Sequence, residues 1–331
     1  MKKHRTIKTI AAKAGVSVAT VSRVLNNKNP EKVGQEVRER VQKLIAKYKF
    51  TPNATAKSLI SGKSNFIGLQ ILSTSLAMEL MKGIEKKASE AGYNIILGIS
   101  DWNKEKEGQS VNAMLEKGVD GILWIPSVSS QLKKTKAFEK IRNCRCPLIC
   151  LNKDIDITIP SVCGDNVFGG YMAASHVWEH GFHNIVFIGT LKDVHSKKRF
   201  EGYEKLMLEK NMEPRFLESV HEESISTDTA LNFLSKDKNV NAFVCASDYI
   251  ALGAYNALLR KKINIGRDFA VTGYDNQIFS GYLQPPLTTV SPLDAQIGET
   301  AISLLLELIN NGKITGKTLI KPELIIRNSC F

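Results

Sequence analysis

Long hydrophobic runs are missing from this 331-residue chain. No stretch approaches the roughly eighteen consecutive apolar residues of a transmembrane helix, so a helical membrane protein is not expected. The opening MKKHRTIKTI lacks the apolar core of a secretory signal, which gives the expectation of a cytoplasmic protein. Cysteine is sparse as well. Cys144, Cys146, Cys150, Cys163, Cys245 and Cys330 are too few and too scattered for a disulfide scaffold, so reduced thiols are expected. The first three lack the paired spacing of a zinc site, and Cys150 lies in the apolar run Pro147–Leu151, which reads as a core strand.

Catalytic signatures are also missing. There is no G-x-G-x-x-G after the first apolar run, no P-loop, no G-x-S-x-G and no H-E-x-x-H. His176, His180, His183 and His195 are scattered, and Gly181 cuts His183 off from the helix that carries His180. No catalytic residue, metal or cofactor is therefore expected, and the chain does not read as an enzyme, although doubly wound sheets host many. A transport receptor is set against the same missing signal and the basic N-terminal segment.

What the chain has is a positive surplus confined to one end. Residues 1–63 hold fifteen Lys and Arg against Glu31, Glu36 and Glu39, which accounts for the whole net charge of +12. The other 268 residues balance at thirty of each sign. A polyanion-binding module is thus joined to a neutral body, and the length fits two or three units.

Patterning gives that module a shape. Thr6 is placed to cap a helix over Ile7–Ala14, Gly15 supplies the permissive turn, and Ser17 caps a second helix over Val18–Asn26. Val21, Val24 and Leu25 share a face that suits Ile10, Ala11 and Ala14, and a third helix fits Val37–Lys47. Two short helices across a glycine turn, closed by a third, form a helix-turn-helix. Its second helix leaves Val18, Ala19, Ser22 and Arg23 for the major groove. Arg23 can donate bidentately to guanine, whereas Val18 and Ala19 offer apolar contact or are plain helix formers. Thr6, Lys8, Ser17, Asn26 and Asn27 suit phosphates.

From Phe66 onward, apolar runs at 66–72, 93–99, 121–125, 147–151, 184–188, 242–246 and 269–272 alternate with helical patterns near 77–91, 105–117, 131–142, 166–180, 195–210, 226–236 and 248–262. This βαβ alternation predicts parallel sheets covered on both faces. The series is too long for one compact half, so two sheets with a cleft between them are expected, with ligand at the carboxyl ends of strands.

The run Thr6–Asn26, followed by Phe50-Thr-Pro-Asn-Ala-Thr-Ala-Lys-Ser-Leu59, closely resembles the lactose repressor/galactose repressor (LacI/GalR) family of bacterial regulators. The body resembles it too, through Gly83-Ile-Glu85, Val119-Asp-Gly-Ile122, Asp165, His180–Ile185, Arg199-x-x-Gly202-Tyr203, Ser247–Gly253, Gly273-Tyr-Asp275 and Pro285–Thr289.

The resemblance implies a sequence-specific, homodimeric repressor of carbohydrate-related genes that binds palindromic operator DNA under control of a small sugar-like effector. It implies a helix-turn-helix domain (1–50), a hinge helix and linker (51–63), and a periplasmic-binding-protein-like core (64–331). The two parallel-sheet subdomains of that core cover about 64–162 with 291–321, and 163–290 with 322–331. It also implies that Asn53 and Ala56 lie in the DNA-contacting hinge and that Leu59 is a wedge inserted from the minor groove.

For the effector it implies Arg199 and Asp275, which suit sugar hydroxyls. Ser247 stands where many members carry Asn or Asp, and Leu72–Met78 replaces a longer segment that often lines the sugar site. Lys153 and the pair Lys197-Lys198 make an anionic effector or a protein corepressor the alternative. Trp124, at the end of its strand, reads equally as a stacking surface for a sugar ring or as a core or dimer-interface residue.

Overall fold

The computed structural model describes residues 6–26, 30–50, 62–74, 77–127, 136–152, 159–220 and 222–331. The chain divides into two compact units, Met1–Asn65 and Phe66–Phe331. The expected hinge residues Asn53, Ala56 and Leu59, the effector candidate Lys153 and the side chain of Asn26 lie outside the described residues.

The first unit contains α1 (Ile7–Ala14), α2 (Val18–Asn26) and α3 (Gln35–Tyr48), the last beginning two residues before the expected Val37. Gly15 takes φ of 66°, a left-handed conformation that costs glycine nothing, and this turns the chain from α1 into α2. Ile10, Val21 and Val41 are fully buried, with Ala11 and Ala14 allowing close approach and Val16, Val24, Leu25, Val37, Leu44 and Ile45 packed around them. At about 1.5–3 kcal/mol per fully buried aliphatic side chain, this cluster is the main stabilising term in so small a unit. Ser17 caps α2 as expected, accepting from the Thr20 amide at 3.1 Å. Thr6 does not cap α1; its hydroxyl pairs with that of Thr9 at 3.3 Å instead.

The second unit is built on two six-stranded sheets. The first contains β1 (Phe66–Ile71), β2 (Asn94–Ile99), β3 (Gly121–Trp124), β4 (Leu148–Leu151), β5 (Ser161–Gly164) and β11 (Lys317–Ile320), in the order β11-β5-β4-β3-β1-β2. Every pairing in it is parallel. The second contains β6 (Ile185–Gly189), β7 (Phe216–Glu218), β8 (Ala242–Cys245), β9 (Ala270–Tyr274), β10 (Thr288–Ser291) and β12 (Glu323–Ile325), in the order β12-β10-β9-β8-β6-β7. Only the β10–β12 pairing is antiparallel.

Helices α4 (Met78–Glu90), α5 (Lys104–Glu116), α6 (Lys136–Asn143) and α11 (Asp294–Asn311) cover the first sheet. The second is covered by α7 (Asn166–Glu179), α8 (Val194–Glu209), α9 (Glu223–Lys236) and α10 (Asp248–Arg260). The chain passes between sheets three times, at 164–165, 291–294 and 320–323.

Sequence patterning overlooked α11, although Ile297, Ala301, Ile302 and Leu305 form its fully buried stripe at helical spacing. The short strands β5, β7, β10, β11 and β12 were likewise not anticipated, because each carries polar or charged residues and so shows no continuous apolar run. Cys150, Cys163, Cys245 and Cys330 are buried, and none of the six cysteines is in a disulfide. Burial pushes the Cys150 thiol up to about 12, as befits a core residue. No described helix is long and apolar enough to cross a membrane.

At the crossing of α7 and α8, a Cβ on Gly170 would meet the Arg199 carbonyl oxygen at 2.0 Å, and one on Gly202 would meet the Val167 carbonyl oxygen at 2.0 Å. Only glycine at both positions lets these helices touch backbone to backbone.

Candidate functional site

In the first unit, α2 leaves Val18 exposed at 41%, with Ala19 and Arg23 also open to solvent and Ser22 half-buried. An exposed valine beside an exposed arginine on a helix already anchored by Val21 is the surface that a groove-reading helix needs. Thr6, Lys8 and Ser17 are exposed where phosphate contacts were expected.

In the second unit, the carboxyl ends of the strands assemble a second site. Asp193 caps α8, accepting from the amides of His195 at 3.1 Å and Ser196 at 2.8 Å, and so fixes the helix that carries Arg199. Arg199 is only 8% exposed and engaged at each of its three guanidinium nitrogens. Its Nε donates to Asn166 Oδ1 at 2.8 Å, and one terminal nitrogen donates to the Ala246 carbonyl at 2.6 Å. The other terminal nitrogen meets Asp275 Oδ1 at 3.0 Å, and the guanidinium lies 3.5 Å from the Tyr274 ring centroid. Burial is the largest single effect and works against the charge, but Asp275, Tyr274 and Asp193 together outweigh it and hold the guanidinium pKa above its usual value.

Asp275 sits in an unusual backbone turn, with φ of 97° followed by 47° at Asn276. That turn is built from below. The fully buried Asp248 accepts from the Gln277 amide and from the Thr289 hydroxyl, both at 2.6 Å. Arg327 donates to Asn276 Oδ1 at 2.8 Å. Burial pushes the Asp248 carboxyl up to about 8, against the pull of the Thr289 hydrogen bond.

The first sheet contributes Asn152, following β4, and Asp294, the first residue of α11. Asp294 is part-buried. Its carboxyl is pushed up to about 7 by burial and then by the charge of Asp275, while Arg199 and a hydrogen bond with Asn152 oppose the shift. Two carboxylates from opposite halves therefore feel one guanidinium, Asp275 in contact with it and Asp294 through its charge. Beside them lies a cavity of ≈ 100 Å³ whose lining includes Asn152, Asp165, Asn166, His195, Lys198 and Lys317. Ligand-engulfing pockets usually measure roughly 300–1,000 Å³, so admitting a ligand requires the halves to part.

The raised carboxyl of Asp294 has a measurable consequence. The unfolded chain loses this proton near pH 4 and the folded chain near pH 7, so stability from this group is full below about 4 and declines as pH rises to about 7. Asp294→Asn is expected to remove a decline on the order of 4 kcal/mol over that window, measured by urea unfolding across a pH series. An unchanged pH profile in the variant would show that Asp294 does not titrate in this way.

Of the expected effector residues, Arg199 and Asp275 are brought into contact. Trp124 is not available to a ligand. It is fully buried, and its indole donates to Glu107 at 2.5 Å. Along β3, Leu123 joins the cluster under α4 and α11, whereas Ile122 and Trp124 point to the opposite face with Val111 and Met114. Ser247 is likewise fully buried, and its hydroxyl is spent capping α10, accepting from the Ile250 amide at 3.3 Å. Lys197 is exposed and Lys198 half-buried.

Sequence reasoning missed Asn152, Asn166, His195, Asp248 and Asp294 as site residues. For Asp294 the signal was the overlooked helical stripe; for Asn152 and Asp248 a polar residue just after an apolar strand run was the available clue, and Asn166 and His195 carried none.

The model for bacterial regulatory proteins of the lacI family matches residues 6–53, and that for a periplasmic binding protein-like domain matches residues 174–330. The chain is 33% identical to the HTH-type transcriptional regulator RegA of Clostridium saccharobutylicum, covering 98% of both chains. It is 28% identical to the ribose operon repressor of Haemophilus influenzae, again over 98% of both. Among solved structures, the lac repressor dimer bound to operator and an anti-inducer superposes with a TM-score of 0.85 at 25% identity, over 98% of each chain. A complex of the transcriptional regulator CelR with cellobiose shares the fold at a TM-score of 0.71 and 23% identity, covering 98% of this chain and 99% of the other.

Proposed function

Since the chain belongs to the LacI family of bacterial regulatory proteins and is a DNA-binding transcriptional regulator rather than an enzyme, we propose that its cleft takes a neutral, sugar-like effector that sets operator affinity. The observation that carries this reading is the Arg199–Asp275 pair, faced by Asp294. A guanidinium already neutralised by a carboxylate has little to offer an anion. Carboxylate acceptors alternating with guanidinium and amide donors match the donor-and-acceptor hydroxyls of a polyol.

The relatives support the same class. One is named a ribose operon repressor, and one solved neighbour holds cellobiose. By analogy with the operator-bound dimer, two copies place their α2 helices on the half-sites of a palindrome, with Val18, Ala19, Ser22 and Arg23 reading bases. Effector acts by binding one arrangement of the cleft better than the other, with typical couplings of about 1–3 kcal/mol.

Lys198, Lys317 and His195 along the ≈ 100 Å³ cavity favour a second reading, an anionic sugar derivative. The deciding experiment is a thermal-shift screen against neutral sugars, sugar acids and sugar phosphates, followed by operator titration with each hit, the operator being selected from a random duplex pool. A ligand at about one hundred times its dissociation constant adds roughly 2.7 kcal/mol of stability. Hits among neutral sugars that change operator affinity support the first reading. Hits confined to anions replace it with the second, and no hit in any class rejects both.

A further inference from the structure

The last turn of α7 carries His176, and His180, four residues on, is the C-cap residue that closes the helix. Their rings lie 4.2 Å apart, centroid to centroid, inclined at 49°. Cys330 is brought to the same place by its bridge to Gly266. The donor atoms of His176, His180 and Cys330 all lie within 4.8 Å of one another.

Two further observations point to a ligand here. His176 is only 6% exposed, its ring interacts with the Cys330 backbone, and its Nε2 has no partner that meets hydrogen-bond geometry. A buried ring nitrogen left without a partner is costly unless something else satisfies it. His180 Nδ1 lies 2.7 Å from the His176 carbonyl oxygen. A carbonyl only accepts, so Nδ1 holds the proton and Nε2 presents its lone pair. That orienting bond from the second ring nitrogen is what metal-bound histidines characteristically make. The neighbouring His183 is engaged elsewhere, its ring 4.2 Å from that of Trp178.

We propose that His176, His180 and Cys330 form a binding site for a zinc-like divalent transition-metal ion, with two nitrogens, one sulfur and a fourth position open to water. The site is separate from the cleft built around Arg199. Two imidazoles and a thiolate are a zinc donor set, and three protein ligands with one open position follow from the exposure of His180. Tetrahedral bonds of about 2.0–2.3 Å place donor atoms roughly 3.5 Å apart, so the ligands draw in by about 1 Å. His180, the exposed member, is the one able to move. On binding, the Cys330 thiol releases its proton to solvent while both imidazoles bind neutral, which conserves charge and atoms. The ion ties α7 to the segment that follows β12.

The test uses the full chain, stripped with a chelator and titrated with Co²⁺ as a spectroscopic probe. One Co²⁺ per chain is expected, with a thiolate-to-cobalt charge-transfer band that Zn²⁺ abolishes, and Zn²⁺ should raise the melting temperature. His180→Ala, at an exposed position where folding is not at stake, should weaken binding by at least about tenfold. Cys330→Ser should abolish the band. Absence of stoichiometric binding, binding without the thiolate band, or unchanged affinity in His180→Ala would each overturn the proposal. The His180 variant decides the matter even if Cys330→Ser fails to fold.

Discussion

Arg199→Ala is expected to cost about 3–5 kcal/mol of stability and to abolish the effector response while operator binding persists. The cost arises from what the substitution leaves behind. Asp275 and Asp294 would face each other across the cleft without their shared cation, and Asn166 Oδ1 and the Ala246 carbonyl would lose their donor. The Tyr274 ring would lose the guanidinium stacked on it. Arg199→Lys keeps the charge, but an ammonium on a flexible stem cannot span Asn166, Ala246 and Asp275 at once, so it should recover only part of the loss. Urea unfolding reads the stability change, and operator titration with and without effector reads the response. A variant as stable and as responsive as the parent would mean that the pair is a bystander and the effector site lies elsewhere.

A comparable or larger effect is expected from salt. If a dimer neutralises six to ten phosphates, operator affinity should fall by roughly 10³–10⁵-fold between about 50 and 200 mM salt, a log–log slope near −0.9 per phosphate. The concentration of fifteen basic residues in the first 63 positions, against a neutral remainder, is the reason. Lys8→Ala should make the slope shallower by about one for each phosphate left without its lysine, and should weaken all sequences alike. Arg23→Ala should instead cost about 1–3 kcal/mol on the preferred operator and relax discrimination at one base pair. Fluorescence anisotropy across a salt series distinguishes them. A flat salt dependence would discard the charge argument, and a uniform weakening with Arg23→Ala would assign that residue to a phosphate.

What could be read in the sequence depended on how many residues spoke together. The helix-turn-helix was legible because Ile10 and Ala14 before Gly15, and Val21, Val24 and Leu25 after it, fall at helical spacing. The doubly wound body was legible because its central strands, such as Ile185–Gly189 and Ala242–Cys245, are buried on both faces and therefore read as unbroken apolar runs.

The site was legible only in part. Arg199 and Asp275 came from resemblance, and the contact between them is real. Trp124 was left open between sugar platform and core because the alternation of a strand decides which face a terminal residue joins, and that needs the register of β3 against β1 and β4. Asp294 comes under the charge of Arg199, and within hydrogen-bond reach of Asn152, only because the chain returns to the first sheet at 291–294, a crossing whose few residues carry no pattern. The clustering of His176 and His180 with Cys330 depends on a separation of about 150 residues in sequence and is invisible without the fold.

The glycine contacts between α7 and α8 bear on how the cleft moves. Helices cushioned by side chains can change rotamers at their interface and absorb a small slide. At Gly170 and Gly202 there is no such cushion, since each backbone rests directly on the carbonyl of the other helix. Mechanically this is a weld rather than a bearing. The helix that carries Arg199 cannot shift against its neighbour without the whole second half following. Compliance must then reside in the three short passages between sheets, and motion at the cleft becomes the turning of two stiff bodies on three thin straps.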